Sequence, residues 1–278
     1  MFQDIAPQVL DTRYRLAKAQ RDDYLIVIKK RQILMINSSS VKLPTLRELY
    51  SQYQFSVSPL YLLSVGGQRF FYLPASLSPR FSFSFQKLTT LTQLSPGWLA
   101  FGAVTAVHLA AWYAHHHFCG RCRKPLKLGR RERKLVCPRC GLTVFPTISP
   151  AVIVGVKHKN QLLLTKYARG FSRFALIAGF CEIGETLEDT VRREVFEETG
   201  LKVTHITYYK SQPWGFSRSL LAGFFADVAR KAPYSTWQFR PDPKELATAR
   251  WFSAPDLPVG GSFLSLTREM IAAFKGHR

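Results

Sequence analysis

Apolar residues along the chain gather first into short runs with strand character. Tyr24 to Lys29, Leu60 to Val65 and Arg69 to Leu73 are β-branched or aromatic stretches, and Gly66-Gly67 reads as a hairpin turn between the last two. Phe81 to Phe85 alternates phenylalanine with serine at the period of a strand. Trp98 to Ala114 breaks this rhythm with a continuous small and apolar segment, which reads as a helix. It is short for a bilayer span, holds Gly102 and His108, and is rich in small residues rather than leucine, so burial between domains is the better reading. Strand patterns return at Ala151 to Val156 and Leu162 to Lys166, read as a pair around Lys157 to Gln161. Further strands are expected near His205 to Lys210, Leu220 to Val228 and Arg250 to Phe252. A polar, proline-containing loop covers Arg230 to Pro243, and a helix starts at about Ser265. Strands alternating with two helices suggest an α/β sandwich behind a mostly β N-terminal module, so the fold class is α+β. The expected divisions are 1–115, 116–147 and 148–278. No chemistry and no repeat stands out in the first.

Composition supports a globular protein with room for two domains, or one with small modules: 278 residues, 46% hydrophobic and 21% charged. Charge changes the picture more. Lys and Arg number 39 against 18 Asp and Glu, a net +21. Such a balance favours polyanions such as nucleotides, RNA or DNA, and fits a merely solvated basic surface equally well. The densest stretch is 119–147, with nine basic residues and one acidic. Met1 to Lys18 carries Asp4, Asp11, Arg13 and Arg15 and no apolar core, so a secretory signal is not expected.

That basic stretch also holds Cys119-Gly-Arg-Cys122 and, fourteen residues on, Cys137-Pro-Arg-Cys140. Two such turns each present two thiolates, and four thiolates complete the tetrahedral shell zinc prefers. A filled shell leaves no open position, so the zinc is structural and its binding energy becomes folding energy. Two disulfides or an iron–sulfur cluster are the competing readings. Gly120 and Gly141 support the turns and favour zinc. Thiols held this way fit a reducing, cytoplasmic setting. His115-His116-His117 reads as polarity at a helix end.

The strongest pattern lies downstream. Gly179 is followed after five residues by Glu185, and after seven more by Arg193-Glu194-Val195-Phe196-Glu197-Glu198-Thr199-Gly200-Leu201. Thr186 can cap a helix with Asp189 as its capping-box partner, and Gly200 can end it. On that helix Glu194, Glu197 and Glu198 stand at i, i+3 and i+4, within an arc of roughly 100°. Carboxylates so close repel unless cations lie between them, and hard oxygen ligands select magnesium or manganese. Leu187, Val191 and Val195 would anchor the helix, and Arg193 is placed to pair with Glu185. An ordinary acidic helix explains the glutamates but not the glycines, Glu185 and Arg193 at their offsets. The segment resembles the Nudix box at every defined position.

Ser211-Gln212-Pro213-Trp214-Gly215-Phe216-Ser217-Arg218-Ser219 is similar to the S-Q-P-W-P-F-P-x-S signature of the NADH pyrophosphatase (NAD-capped RNA hydrolase) family of Nudix hydrolases. That family also carries a four-cysteine ribbon before its Nudix domain. Gly215 and Ser217 stand where it has prolines, which loosens the turn. The resemblance covers about His116 to Met270. It implies a Nudix α/β/α sandwich that hydrolyses the pyrophosphate of NAD(H) to NMN(H) and AMP, and NAD caps on RNA are a related substrate. Glu194, Glu197 and Glu198 would bind magnesium or manganese and supply the base, joined by the Ala178 carbonyl and Glu245. Phe180 and Phe145 would sandwich a base, Phe145 reaching in from the second subunit of a homodimer. Gln212, Trp214, Phe216, Ser219, Glu132 and, by a gapped alignment, Thr267 would line the substrate. Rival readings are another Nudix substrate such as ADP-ribose, with the altered turn as warrant, and a non-catalytic nucleic-acid-binding zinc-ribbon protein. The intact carboxylates speak against the latter.

Overall fold

The computed structural model describes residues 1–80, 82–168, 173–229, 246–258 and 265–276. The chain forms two compact units, one of residues 3–147 with 214–218, the other of residues 1–2, 148–213 and 219–278.

In the N-terminal unit the strands are β1 (Leu10–Asp11), β2 (Tyr24–Ile26), β3 (Ile28–Lys29), β4 (Gln32–Ile36), β5 (Leu60–Val65), β6 (Gln68–Tyr72) and β7 (Phe83–Lys87). They make one sheet of order β1-β5-β6-β2 and another of order β3-β4-β7. The run from Tyr24 to Lys29 is thus two strands in two sheets. The turn between β5 and β6 is as expected, with Gly66 and Gly67 at φ of 55° and 86°, the left-handed conformations a tight hairpin needs. Phe81 lies outside the described residues.

Helix α1 (Leu46–Tyr50) was not anticipated, although its signal is present. The Thr45 side chain accepts from the Glu48 N–H, and the Glu48 carboxylate accepts from the Thr45 N–H in return. Helix α2 (Gly97–His115) is the apolar segment. By length and composition it could cross a membrane, but 61% of the stretch is buried in the protein. It packs against β5, β6 and β2. Gly102 allows the close approach, since a Cβ there would sit 2.9 Å from the Phe70 ring. Three short strands, β8 (Lys127–Leu128), β9 (Leu135–Val136) and β10 (Thr143–Val144), form the cysteine ribbon with β9 central.

The second unit holds β11 (Ser149–His158), β12 (Gln161–Tyr167), β13 (Ile177–Phe180), β14 (Val203–Trp214), β15 (Ser219–Val228) and β16 (Leu246–Ser253). Their order is β14-β15-β11-β12-β16, with β13 also paired to β11. β11 and β15 run parallel, while β12 and β13 pair antiparallel with β11, and β16 antiparallel with β12. The β11–β12 hairpin is tighter than expected: Lys157 pairs with Leu162 and His158 with Gln161, so these residues are strand rather than loop.

Alternation along β11 explains the layers. Val152, Val154 and Val156 point into a core shared with Val191 and Val195 of α3 (Leu187–Thr199). Ile153 points the other way, into a core shared with Leu266, Met270 and Ile271 of α4 (Leu266–Gly276). Helices therefore cover both faces of one mixed sheet, an α/β/α sandwich.

Candidate active site and zinc ribbon

Strand β13 delivers Ala178 and Gly179 to the sheet beside Ile153 and Val152. A Cβ on Gly179 would fall 1.8 Å from Cδ of Glu194, so the backbone here is pressed against that carboxylate. The box opens with glycine because a side chain and Glu194 would need the same space. Helix α3 then starts at Thr186, whose side chain accepts from the Asp189 N–H at 3.1 Å. The return half of the expected capping box differs: the Asp189 carboxylate takes the Thr186 hydroxyl, not its N–H. Gly200 ends the helix in a left-handed conformation at φ 73°.

The Arg193–Glu185 pair forms, and it is bidentate, with Nε to Oε1 at 2.6 Å and Nη2 to Oε2 at 2.9 Å. The Glu182 N–H and the Thr190 hydroxyl also donate to Glu185. The Arg193 guanidinium, then these donors, hold the Glu185 carboxyl down at about 2 from its ordinary 4.5. Hydrogen bonding to Glu185 raises the guanidinium's own pKa in turn.

Arg193 does more than brace a loop. Its Nη1 donates to Glu194 at 2.8 Å and to Glu197 at 3.0 Å, and Nη2 also donates to the Phe180 carbonyl at 2.9 Å. Repulsion among the glutamates was expected to need cations between them. Here a guanidinium already offsets part of it. Depth separates the three carboxylates: Glu198 is 2% exposed, while the Glu197 side chain is 55% exposed. Carboxylate oxygens beside a strand-end backbone suit a hard divalent cation. Among the described residues, however, only the four cysteines form a group of three or more residues whose metal-ligating atoms all lie within 4.8 Å of one another. Glu245 lies outside the described residues, as does the whole loop from Arg230 to Pro243.

The cysteines are free thiols, with Cys119 and Cys140 sulfurs 3.6 Å apart and Cys122 and Cys137 sulfurs 3.4 Å apart. Those gaps are too long for disulfides and near the roughly 3.8 Å edge of a tetrahedron with 2.3 Å Zn–S bonds. The two knuckles repeat each other: the Arg123 N–H donates to the Cys119 carbonyl and the Gly141 N–H to the Cys137 carbonyl. Arg123 (φ 61°) is therefore the counterpart of Gly141 (φ 74°), and Gly120 has no such duty. Backbone N–H groups of Cys140 and Arg139 help bring the Cys137 thiol down to about 6. Burial pushes Cys119 up, but N–H donors from Cys122 and Arg121 outweigh it.

The basic stretch divides in two. Arg121, Arg123, Lys124, Lys127, Arg130, Arg131 and Arg139 are exposed. Lys134 pairs with Glu132 at 2.5 Å, and Arg133 turns inward to donate to the Leu62 carbonyl. Arg133 is a packing residue rather than a free surface cation.

The expected substrate contacts fare unevenly. Phe145 and Phe180 are half exposed, at 50% and 52%, as stacking platforms must be. Trp214 and Phe216 meet edge to face at 5.1 Å. Gln212 is fully buried, and its Oε1 accepts from the Leu266 N–H at 2.7 Å, capping α4. Ser219, at the head of β15, is buried too. Thr267 is half-buried in the first turn of α4. The turn's departures also look different in space. A Cβ on Gly215 would lie 2.5 Å from the Val104 carbonyl oxygen of α2, so glycine is required there, not merely tolerated.

Residues 147–274 match the Nudix domain family, over the same span that holds the sandwich and the braced box. This part of the chain is a Nudix domain. Ahead of it, residues 114–145 match the NADH pyrophosphatase zinc ribbon domain. Similar relatives include the proteins named NAD-capped RNA hydrolase NudC of Salmonella paratyphi C (strain RKS4594) and Salmonella choleraesuis (strain SC-B67). Each is 39% identical over 154 residues, 55% of this chain. The chain spans 58% of the length of these curated relatives. A Nudix hydrolase structure from Nitrosomonas europaea aligns over 51% of this chain and 80% of its own, at 24% identity and a TM-score of 0.43. The Nudix domain and its ribbon thus stand on matched residues, while residues 1–113 lie outside both matched families.

Proposed function

We propose that the chain is a metal-dependent pyrophosphohydrolase that cuts NAD(H) to NMN(H) and AMP. The observation that carries this reading is the braced carboxylate cluster, in which Arg193 locks Glu185 and touches Glu194 and Glu197 while the Gly179 backbone abuts Glu194. Glu194, Glu197, Glu198 and Glu245, with the Ala178 carbonyl, would hold magnesium or manganese. Such an ion, when bound, neutralises the pyrophosphate and acidifies a water. Glu197 or Glu198 would take the proton from the water that attacks phosphorus. Arg193 ties the helix to the loop through Glu185 and holds Glu194 and Glu197 by hydrogen bonds. Phe180 and Phe145 would stack on a base, each contact contributing about 1–3 kcal/mol. Trp214 and Phe216 supply further aromatic surface, and Glu132 would contact the substrate once released from Lys134. Thr267 would line the far side of the nucleotide.

The ribbon cysteines would hold one structural zinc per chain, and their free thiols favour the cytoplasm. Phe145, an exposed aromatic just after the ribbon, supports a homodimer in which it completes the partner's pocket. The parts acting together are 1–115, 116–147 and 148–278. Turnover of NADH, ADP-ribose and NAD-capped RNA with magnesium or manganese, resolved by chromatography, tests the reading. No turnover of any of the three would refute it, and ADP-ribose alone would replace it.

The exposed basic residues of the ribbon favour NAD-capped RNA as a second substrate. Affinity for capped RNA should fall with salt at about −0.7 per neutralised phosphate on a log–log plot, with free NADH far less sensitive. Arg121, Arg130, Arg131 and Arg139 changed to serine should flatten the RNA slope and spare NADH hydrolysis. Unchanged slopes would remove RNA from the substrates.

A further inference from the structure

Between Glu185 and Arg193 the box sets a spacing of seven residues without fixing their identity. One of the seven, Thr190, is completely buried in α3. Its hydroxyl lies 2.8 Å from Oε2 of Glu185 and 3.0 Å from the Thr186 carbonyl oxygen. A hydroxyl has one hydrogen to give. A helical threonine ordinarily gives it to the carbonyl one turn back. Here the carboxylate is both nearer and charged, so the hydrogen goes to Glu185.

Glu185 depends on such partners. It stands between the left-handed Gly184, at φ 94°, and the Thr186 cap of α3. Four donors among the described residues reach its carboxylate: Nε and Nη2 of Arg193, the Glu182 N–H and the Thr190 hydroxyl. Glu182 belongs to the same loop. Of the four, Thr190 alone ties Glu185 to the helix independently of Arg193. The guanidinium is planar and its fork rigid. With Nε and Nη2 docked on Glu185, the direction of Nη1 is set, and Nη1 is the nitrogen that reaches Glu194 at 2.8 Å and Glu197 at 3.0 Å. A buried hydroxyl is thus linked to two carboxylates of the cluster through one carboxylate and one guanidinium.

We propose that Thr190 is a positioning residue for the carboxylate cluster: by fixing Glu185 it aims Arg193 at Glu194 and Glu197. This role rests on the reading of those carboxylates as the metal-binding set.

Two variants of the full, zinc-loaded chain test it. Thr190→Val keeps the branched shape and removes the hydroxyl, whereas Thr190→Ser keeps the hydroxyl. Solvent exchange of the Arg193 Nε–H is followed by nuclear magnetic resonance with magnesium and manganese withheld, and manganese affinity by electron paramagnetic resonance. In Thr190→Val the exchange should quicken roughly tenfold, and the manganese Kd should rise roughly threefold or more. Thr190→Ser should return both to within about twofold of the natural chain. In Glu185→Ala the hydroxyl has no carboxylate to hold, so adding Thr190→Val should change neither readout further. Unaltered exchange in Thr190→Val would overturn the proposal. So would quickened exchange with unaltered manganese affinity, an effect that serine does not reverse, or one that persists in Glu185→Ala. A natural chain that binds no manganese would strike the metal reading instead, and the Nε–H exchange would then decide the role of Thr190 alone.

Discussion

Gly179 has no side chain, and the geometry shows what that permits. A methyl group there would meet only the far end of the flexible Glu194 side chain. Gly179→Ala should therefore fold with nearly unchanged stability but push the Glu194 carboxylate aside. Manganese affinity, read by electron paramagnetic resonance, is expected to fall at least roughly tenfold through loss of one charged ligand. Glu198→Gln removes a buried carboxylate while keeping its shape. A drop of about 10²–10⁴-fold in kcat with an unaltered thermal midpoint is expected, and normal turnover would refute the site. Glu185 gives a pH signature. Its folded pKa, about 2, lies below the ordinary 4.5, so its contribution to stability is complete above pH 4.5 and is lost as pH falls towards 2. The stability difference between the natural chain and Glu185→Gln should shrink across that window in acid unfolding. The Glu185–Arg193 pair was legible in the sequence because spacing alone aligns the two residues. The Arg193 contacts to Glu194 and Glu197 were not, since one guanidinium's divided allegiance depends on rotamers. Nor was the burial of Gln212, which a loop motif disguises as a surface residue.

Helix α3 was readable almost to the residue, because caps are local chemistry: Thr186 begins it and Gly200 ends it. Thr186→Ala should cost about 1 kcal/mol, and Gly200→Ala about 1–2 kcal/mol for its left-handed backbone. Both would show as lowered thermal midpoints with metal withheld. Helix α1 carried an equally local signal in Thr45 and Glu48, but its five residues are too few to show a hydrophobic period. The reading of the ribbon turns erred differently. Gly120 was expected to support its turn, yet the left-handed position falls on Arg123, the residue after Cys122, as it does on Gly141 after Cys140. Arg123→Gly should accordingly be neutral or slightly stabilising, which chemical unfolding can measure.

An α/β sandwich followed from the alternation of strands and helices, since each buried face leaves a period in the chain, and its α/β/α layering followed from the resemblance. The N-terminal sheets resisted such reading. Pairings such as β1 with β5 and β2 with β6 join distant segments, and nothing local announces a partner. The four ribbon cysteines are placed to hold a structural zinc. Elemental analysis should find one zinc per chain, and Cys137→Ser should lower the thermal midpoint of the chain well before it alters turnover at low temperature. The contact between residue 215 and α2 also bears on ancestry. Set against the S-Q-P-W-P-F-P-x-S pattern, Gly215 would be scored as decay and repaired by a consensus proline. The 2.5 Å clearance to a main-chain oxygen forbids the repair. Grafting a proline-bearing version of this loop onto the chain would therefore introduce a collision with α2 rather than a new specificity.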